Sequence, residues 1–287
     1  MQNGPANVEI TALAVYPVKS MRGIALERAA LTPLGIEHDR RFMVVRADGT
    51  FVTQRDTPAM ALIETAIEAD GLLLSREGRG FVRVPFETRG GKRVETRVWK
   101  DTCVTADQGD VISRWLTEAL ESAERLRLVA MAPAFERPQG KPGLLGAATR
   151  TLFADAAPYL VTNEASLDAL NTKLREKGEA AVPMNRFRPN IVVRGLPAFA
   201  EHSTSLLRGD HCELKLRYPC ERCIVTTIDQ HTAVKNPAFE PYRSLAELNP
   251  APGRASKPAF GQNATLANTG PVTVGVGDRL RVVQTIS

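Results

Sequence analysis

Short runs of β-branched and apolar residues, separated by turn-forming residues, recur along the chain and constrain its fold more than any other feature. The run from Val8 to Val18 predicts an opening strand. Asp48-Gly49 and Asp70-Gly71 tolerate the positive φ of tight turns, so each dipeptide predicts a hairpin. Further strands are predicted at residues 81–85, 93–99, 191–194, 213–217, 224–228 and 272–283. This spacing favours a β-barrel or a β-sandwich.

Two segments have the period of an amphipathic helix instead. The first begins at Asp110, which is expected to be its N-cap. Its apolar face is predicted to consist of Val111, Ile112, Trp115, Leu116, Ala119 and Leu120. The second is predicted to begin at Asn163 and to stop at Gly178, with Leu167, Leu170 and Leu174 on one stripe. The predicted fold class is therefore mainly β with a few helices (α+β).

The length of 287 residues exceeds the usual size of one compact core, so it allows two modest domains or one large β domain. Residues 131–150 are rich in proline and glycine and lack sustained periodicity, which is typical of a long loop or linker. We therefore expect one domain over residues 1–130 and a second over residues 131–287.

The formal charge of +5 favours an anionic partner, but the 37 basic residues are mixed with 32 acidic ones. Because the chain has no basic block long enough for a nucleic-acid tail, a small phosphorylated ligand fits this charge better than nucleic acid does. A merely soluble surface is the alternative interpretation of the dispersed arginines.

The chain is expected to be cytoplasmic. Its first eight residues are polar, and no stretch approaches the roughly 20 apolar residues of a membrane span. With four cysteines in 287 residues, a disulfide scaffold is not expected, and a reducing compartment would keep these side chains as thiols.

The segment from Tyr218 to Asp229, YPCERCIVTTID, contains the CxxC pair Cys220 and Cys223. A thioredoxin-like pair lies at a helix start, whereas residues 224–228 are mostly β-branched and favour a strand. A structural zinc site needs about four nitrogen or sulfur ligands, and the chain has no second CxxC or paired histidines. Burial as two small hydrophobes is the commonest state of free cysteines, and the motif alone favours it.

Arginines and amides around this motif favour a functional site. Arg222 lies beside Cys223, and residues 185–190 read NRFRPN, while Arg41 and Arg55 lie near the open end of the first predicted hairpin. Cationic neighbours lower the pKa of a thiol, and a thiolate binds soft metals. Guanidinium groups also bind phosphate in a bidentate manner. A thiolate with a phosphate clamp suits a metal carried on a phosphorylated organic cofactor; surface charge is the alternative for each arginine.

Several blocks of the chain resemble a known family. YPVKSMRG, TPLGIEHDRRF and FVTQRDTP resemble the N-terminal β-barrel domain that precedes a molybdenum cofactor sulfurase C-terminal (MOSC) domain. FADAAPYLVTNEASLDALN, MNRFRPNIVV, CERCIVTTID and FGQN resemble the MOSC domain of the mitochondrial amidoxime-reducing component and its bacterial relatives. The resemblance covers nearly the whole chain. It implies an N-terminal β-barrel-like domain and a MOSC β-barrel domain, with the cofactor between them.

Carried over position by position, the resemblance implies that Cys223 is the molybdenum ligand and that Cys220 is not. Cofactor-binding positions are implied at Lys19, Ser20, Arg41, Arg188, Asn190 and Arg222. Asp155 matches an acidic residue close to the metal, and we expect it to act in catalysis as a proton donor or a water-orienting group. Ala156 and Ala157 follow it where the amidoxime-reducing proteins carry hydroxyl residues, a departure that bears on substrate preference.

The function implied is a molybdenum-dependent reductase that converts N-hydroxylated compounds into amines and water. The cofactor implied is the molybdenum-pyranopterin. The sequence contains no flavin or NAD fingerprint and no cysteine set for an iron–sulfur cluster, so a separate ferredoxin or cytochrome b5-type protein is expected to supply electrons. The rival hypothesis is a carrier that stores the cofactor or transfers sulfur without reducing anything.

Overall fold

The computed structural model describes residues 7–87, 91–133, 135–137 and 140–284. Strands predominate in these residues, which confirms the predicted mainly β fold with a few helices. The strands up to residue 131 are β1 (Asn7–Val15), β2 (Ile24–Leu26), β3 (Arg28–Thr32), β4 (Gly35–Ile36), β5 (Phe42–Val45), β6 (Glu64–Ile67), β7 (Gly71–Ser75), β8 (Phe81–Pro85), β9 (Arg93–Val98), β10 (Asp101–Asp107) and β11 (Arg127–Met131). The later strands are β12 (Tyr159–Asn163), β13 (Ile191–Arg194), β14 (Thr204–Arg208), β15 (Glu213–Glu221), β16 (Pro250–Ala251), β17 (Arg254–Leu266), β18 (Val272–Gly275) and β19 (Arg279–Gln284).

Short helices pack against these strands. The α-helices are α1 (Asp110–Ala119), α2 (Pro142–Leu145), α3 (Glu164–Glu176) and α4 (Tyr242–Leu248). Single turns of 3-10 helix lie at Pro58–Leu62, Met184–Phe187, Ala200–His202 and Ile224–Thr227. As predicted, Gly178 follows α3 with a φ of +74°, a conformation that glycine adopts without a steric penalty. No helix in the described part of the chain is long and apolar enough to cross a membrane.

Seven strands close a β-barrel in the order β12-β13-β1-β19-β14-β15-β17, and β17 pairs back onto β12. Strands β12 and β13 are parallel, and the other neighbours in the barrel are antiparallel. Alternate side chains of these strands fill the interior, where Ile10, Leu13, Tyr159, Val161 and Leu214 are almost fully buried. Because β1 lies between β13 and β19, the first strand of the chain belongs to the same barrel as the last one.

A second group of strands lies between β4 and β12 in the chain. Strands β5, β11, β10 and β9 form one sheet, and β6, β7 and β8 form another. Helix α1 buries Ile112 and Leu116 in the apolar cluster that contains Val44 and Leu74 from these two sheets. The apolar face predicted for this helix therefore packs against a buried core, except at Val111, which is 70% exposed.

Three predicted features of local structure are wrong. Residues 224–228 form a 3-10 turn rather than a strand, because the Thr226 hydroxyl bonds to the Cys223 carbonyl at 3.0 Å and the Thr227 hydroxyl bonds to the Ile224 carbonyl at 2.7 Å. Residues 272–283 form two strands, β18 and β19, separated by a turn at Gly277 with a φ of +92°. Asp110 is the first residue of α1 rather than its cap.

The long loop predicted at residues 131–150 begins at the end of β11 and contains the single helical turn α2. Residues 134, 138 and 139 of this prediction lie outside the described residues. The domain boundary expected between residues 130 and 131 remains a prediction. Strand β1, which precedes this position, pairs with β13 and β19, which follow it.

Gly261 lies in β17 with a φ of +73°, and a Cβ there would lie 2.7 Å from the Val161 carbonyl oxygen. We expect Gly261→Ala to lower the free energy of unfolding by about 3 kcal/mol, from backbone strain and overpacking together. Gly253→Ala is the matched control, because Gly253 has a φ of +70° and nothing within 4 Å. Denaturant unfolding of both variants checks the prediction, and equal losses would contradict the packing explanation.

Glu201 is a fully buried carboxylate whose two oxygens each lie 2.9 Å from the Ser166 hydroxyl. Burial raises its pKa to about 7 from an ordinary 4.5. The folded protein then binds this proton more tightly than the unfolded chain, so the contribution of Glu201 to stability is largest below about pH 4.5 and is lost as the pH rises through about 7, by roughly 3 kcal/mol in total.

Glu201→Gln is expected to remove this pH dependence and to be more stable than the parent at about pH 8. The comparison requires the free energy of unfolding at about pH 5 and pH 8. Glu176→Gln, at an exposed position of α3, is the matched control and should keep the parent slope. Parallel slopes for the parent and Glu201→Gln would contradict the explanation.

Candidate functional site

The loop after β1 holds two of the predicted cofactor-binding residues. Lys19 is 5% exposed, and its ammonium donates to the Phe153 carbonyl at 2.9 Å and forms an ion pair with Asp155. Ser20 has a φ of +68°, and its carbonyl accepts a hydrogen bond from Gln54 Nε2 at 2.8 Å. This loop therefore joins the first barrel strand to the segment that carries Asp155.

Asp155 combines an exposed carboxylate with a buried cationic partner. Its side chain is 59% exposed, and its Oδ1 accepts from Lys19 and from the Trp99 indole N–H at 2.8 Å. Loss of solvation alone would raise the pKa of Asp155, but Lys19, aided by Trp99 and Arg55, holds it well below its usual range. An ionised carboxylate has no proton to donate at neutral pH, so the water-orienting role fits this geometry.

Arg188 is held close to the same loop. It has a φ of +53°, and its Nη1 donates to the Met21 carbonyl at 2.7 Å. The guanidinium carbons of Arg188 and Arg40 lie 4.4 and 4.3 Å from the centre of the Tyr16 ring. Burial, with the charge of Arg40 beside it, lowers the pKa of Arg188 to about 10. The guanidinium remains charged at neutral pH, as binding a phosphate requires.

The CxxC motif places its two thiols in different environments. Cys220 lies in β15 and is half-buried, whereas Cys223 follows the strand and is exposed. Arg222 was expected to activate Cys223, but its Nη1 contacts the Cys220 sulfur at 3.0 Å and its Nη2 donates to the Phe187 carbonyl at 2.7 Å. Arg222 thus connects the motif to the segment that carries Arg188. Cys103 and Cys212 are buried.

A pair of glutamines links the motif to the Lys19 loop. Gln54 and Gln230 exchange hydrogen bonds through their side-chain amides at 3.0 and 2.9 Å, and both are almost fully buried. Gln230 also donates to the Ile228 carbonyl at 3.0 Å, next to the turn that starts at Cys223. Together with the bond from Gln54 to Ser20, this pair brings residues 20 and 228 into one network.

The remaining two predicted binding residues, Arg41 and Asn190, differ in how far hydrogen bonds within the protein already occupy their side chains. Arg41 Nη2 donates to the Phe86 carbonyl at 2.6 Å, and its guanidinium lies 5.4 Å from the centre of the Phe86 ring. Asn190 is 2% exposed, and its amide accepts from the Leu160 N–H at 3.1 Å and donates to the Ala14 carbonyl at 3.3 Å. Asn190 therefore ties β1 to β12 with its side chain, while its binding role remains a prediction.

The residues present fit a phosphorylated metal cofactor in two respects. Buried guanidinium nitrogens of Arg41 (Nε), Arg188 (Nη2) and Arg222 (Nε) have no hydrogen-bond partner within the described residues. Buried N–H groups are normally paired, so these three donors suit an anionic group from outside the chain. Cys223 supplies an exposed thiol for a soft metal.

Other residues of the site were not predicted from the sequence. Arg40 forms an ion pair with the buried Asp39 and donates to the Arg188 carbonyl at 3.2 Å. Trp99 reaches Asp155 from the turn between β9 and β10. The pairing of two adjacent arginines in the HDRR segment could have indicated Arg40, whereas no local signal links Trp99 to residue 155.

Residues 7–123 match the family model described as the MOSC N-terminal beta barrel domain, and residues 148–281 match the model of the MOSC domain. Mitochondrial amidoxime-reducing component 1 of Homo sapiens is 33% identical over 278 residues, which cover 93% of this chain and 81% of that protein. The same component of Danio rerio is 31% identical, with coverages of 93% and 82%. Mitochondrial amidoxime reducing component 2 of Bos taurus is 30% identical, with coverages of 93% and 81%.

Proposed function

The chain belongs to the family of MOSC-domain proteins that includes the mitochondrial amidoxime-reducing components, and from this membership we propose that it is a molybdenum-cofactor-dependent reductase of N-hydroxylated compounds. The overall reaction adds two electrons and two protons to an N-hydroxylated substrate and yields the amine and water. The three curated relatives are named for the reduction of amidoximes, which are compounds of this class.

The observation that carries the proposal is the combination of an exposed thiol with buried, unsatisfied guanidinium groups. Cys223 would hold the molybdenum through its sulfur, and Arg41, Arg188 and Arg222 would bind the phosphate end of the pterin from segments on both sides of residue 130. When bound, this cofactor supplies the two-electron chemistry that the polypeptide lacks. The cofactor would then lie between the N-terminal domain and the MOSC domain.

The remaining site residues, Asp155 and Lys19, would bind and orient the substrate. Asp155 stays ionised because its ion pair with Lys19 stabilises the negative charge. Its exposed carboxylate can therefore accept a hydrogen bond from the N-hydroxyl group or from a water molecule. Lys19 is fixed by the Phe153 carbonyl and by Asp155 together. In this arrangement Asp155 orients the reacting group while the protons come from solvent.

Electrons are expected to come from a separate ferredoxin or cytochrome b5-type protein. The sequence contains no nicotinamide or flavin fingerprint, so purified protein should not turn over with NADH alone. It should turn over when reduced methyl viologen replaces the protein donor. The measurement is benzamidine formation from benzamidoxime with each reductant, and rapid turnover with NADH alone would contradict the expectation.

The same assay tests the proposed function. Protein purified from a host that makes the molybdenum cofactor should form benzamidine with reduced methyl viologen, in proportion to its molybdenum content. A protein that holds molybdenum without forming benzamidine, and that restores activity to a cofactor-free molybdoenzyme, would be a carrier. In that case the reductase proposal would be wrong.

A further inference from the structure

Trp99 occupies an unusual backbone position at the edge of the candidate site. It is the first of the two residues that connect β9 (Arg93–Val98) to β10 (Asp101–Asp107), and its φ is +57°. A two-residue hairpin connection with positive φ at its first position is typical of a type II′ turn, where glycine is strongly favoured. A bulky residue in this conformation is strained, and strain of this kind concentrates at functional sites.

The contacts of the Trp99 ring all lead to the candidate site. Its indole N–H donates to Asp155 Oδ1 at 2.8 Å. The Arg55 guanidinium lies 4.4 Å from the ring centre, and the Phe51 ring meets it edge-on at 5.1 Å. Phe51 in turn lies under the Lys19 ammonium at 5.6 Å. The strained position therefore holds the indole beside the Lys19–Asp155 pair.

A large part of this ring is still available to a ligand. Trp99 is 43% exposed, although its neighbour Val98 is fully buried. Within the described residues, both hydrogen bonds to the Asp155 carboxylate go to Oδ1, which leaves Oδ2 for a substrate or a water molecule. A substrate whose N-hydroxyl group bonds to this carboxylate would place its substituent beside the indole.

We propose that Trp99 is a specificity-determining residue that forms an aromatic wall of the substrate site and favours N-hydroxylated compounds with a planar aromatic substituent. This inference rests on the proposed function. A planar substituent can stack on the exposed part of the indole, whose ring already attracts the Arg55 guanidinium at 4.4 Å. A small aliphatic substituent gains little from the same wall.

Trp99→Gly tests the inference without a folding penalty at the turn, because glycine suits the positive φ of this position. The KM for benzamidoxime should rise roughly five- to tenfold, while that for acetamidoxime stays within about twofold. The melting temperature should change little, because the release of backbone strain at this turn offsets the lost contacts of the indole with Phe51 and Asp155. Trp99→Phe keeps a ring but loses the donor to Asp155, so it should keep most of the preference for benzamidoxime and lower kcat for both substrates alike.

A second measurement does not depend on turnover. The chain has two tryptophans, and the other, Trp115, lies on α1 and donates to the Arg79 carbonyl at 2.9 Å. In a Trp115→Phe variant, the fluorescence of Trp99 should change on titration with benzamidine and remain unchanged with acetamidine. An equal change in KM for both amidoximes in Trp99→Gly, or no response of Trp99 to benzamidine, would overturn the inference, whereas an equal fall in kcat is expected from the loss of the donor to Asp155. If the parent reduces neither amidoxime, the proposed function fails, and the fluorescence titration still decides whether the wall exists.

Discussion

Cys223→Ala is expected to abolish reductase activity and to lower molybdenum retention sharply. Cys223 is the exposed cysteine two residues after β15, and its thiolate would be the one bond from the chain to the metal. Changes to residues that merely support metal ligands typically cost about 10- to 100-fold, so loss of the ligand itself should exceed roughly 100-fold in activity. Metal analysis and the benzamidoxime assay on freshly purified protein measure both effects.

Cys220→Ala is the matched control for this variant. The Cys220 sulfur contacts Arg222 Nη1 at 3.0 Å and is half-buried, so its loss affects the position of Arg222 without removing a metal ligand. We expect this variant to retain molybdenum and to keep activity within about tenfold of the parent. Near-stoichiometric molybdenum in Cys223→Ala, or loss of the metal only in Cys220→Ala, would reverse the assignment of the ligand.

Asp155→Asn is expected to lower kcat by roughly 100-fold while molybdenum content is unchanged, because misplaced reacting groups typically cost about this factor. The substitution keeps the shape of the side chain and removes the negative charge that faces Lys19. Steady-state kinetics at matched molybdenum content measure the effect. An unchanged kcat would exclude Asp155 from the reaction.

Asp110→Asn is a suitable control for the charge change itself. Asp110 accepts hydrogen bonds from Arg125 and Arg127 at 2.7 and 3.0 Å, and it lies at the start of α1, outside the candidate site. Its replacement also removes an ionised carboxylate from an ion pair, but it should leave kcat within about twofold because exposed pairs contribute little. Equal losses in the two variants would indicate a general effect of charge.

The local features of the fold could be predicted because they depend on nearby residues. Strand β8 and helix α3 follow directly from their apolar patterns, and Gly178 ends α3 as its position suggests. The turn at Ile224–Thr227 could not, because threonine hydroxyls bond to carbonyls three residues earlier and override the β preference of the side chains.

The arrangement of the site depends on contacts that no local pattern encodes. Lys19 meets Asp155 across 136 positions, and Gln54 meets Gln230 across 176. The family resemblance identifies Lys19 and Asp155 only as separate residues, because their pairing, and the ionised state that it gives Asp155, depend on the three-dimensional fold. Trp99 was missed for the same reason, since its partner lies 56 positions away.

The most direct test of the central proposal is a single-turnover experiment. Protein loaded with molybdenum is reduced, freed of the excess reductant and mixed anaerobically with benzamidoxime. A reductase should form one benzamidine per molybdenum in the parent and none in Cys223→Ala. Stoichiometric molybdenum in the parent with no benzamidine would contradict the proposed function and favour the alternative of a cofactor carrier.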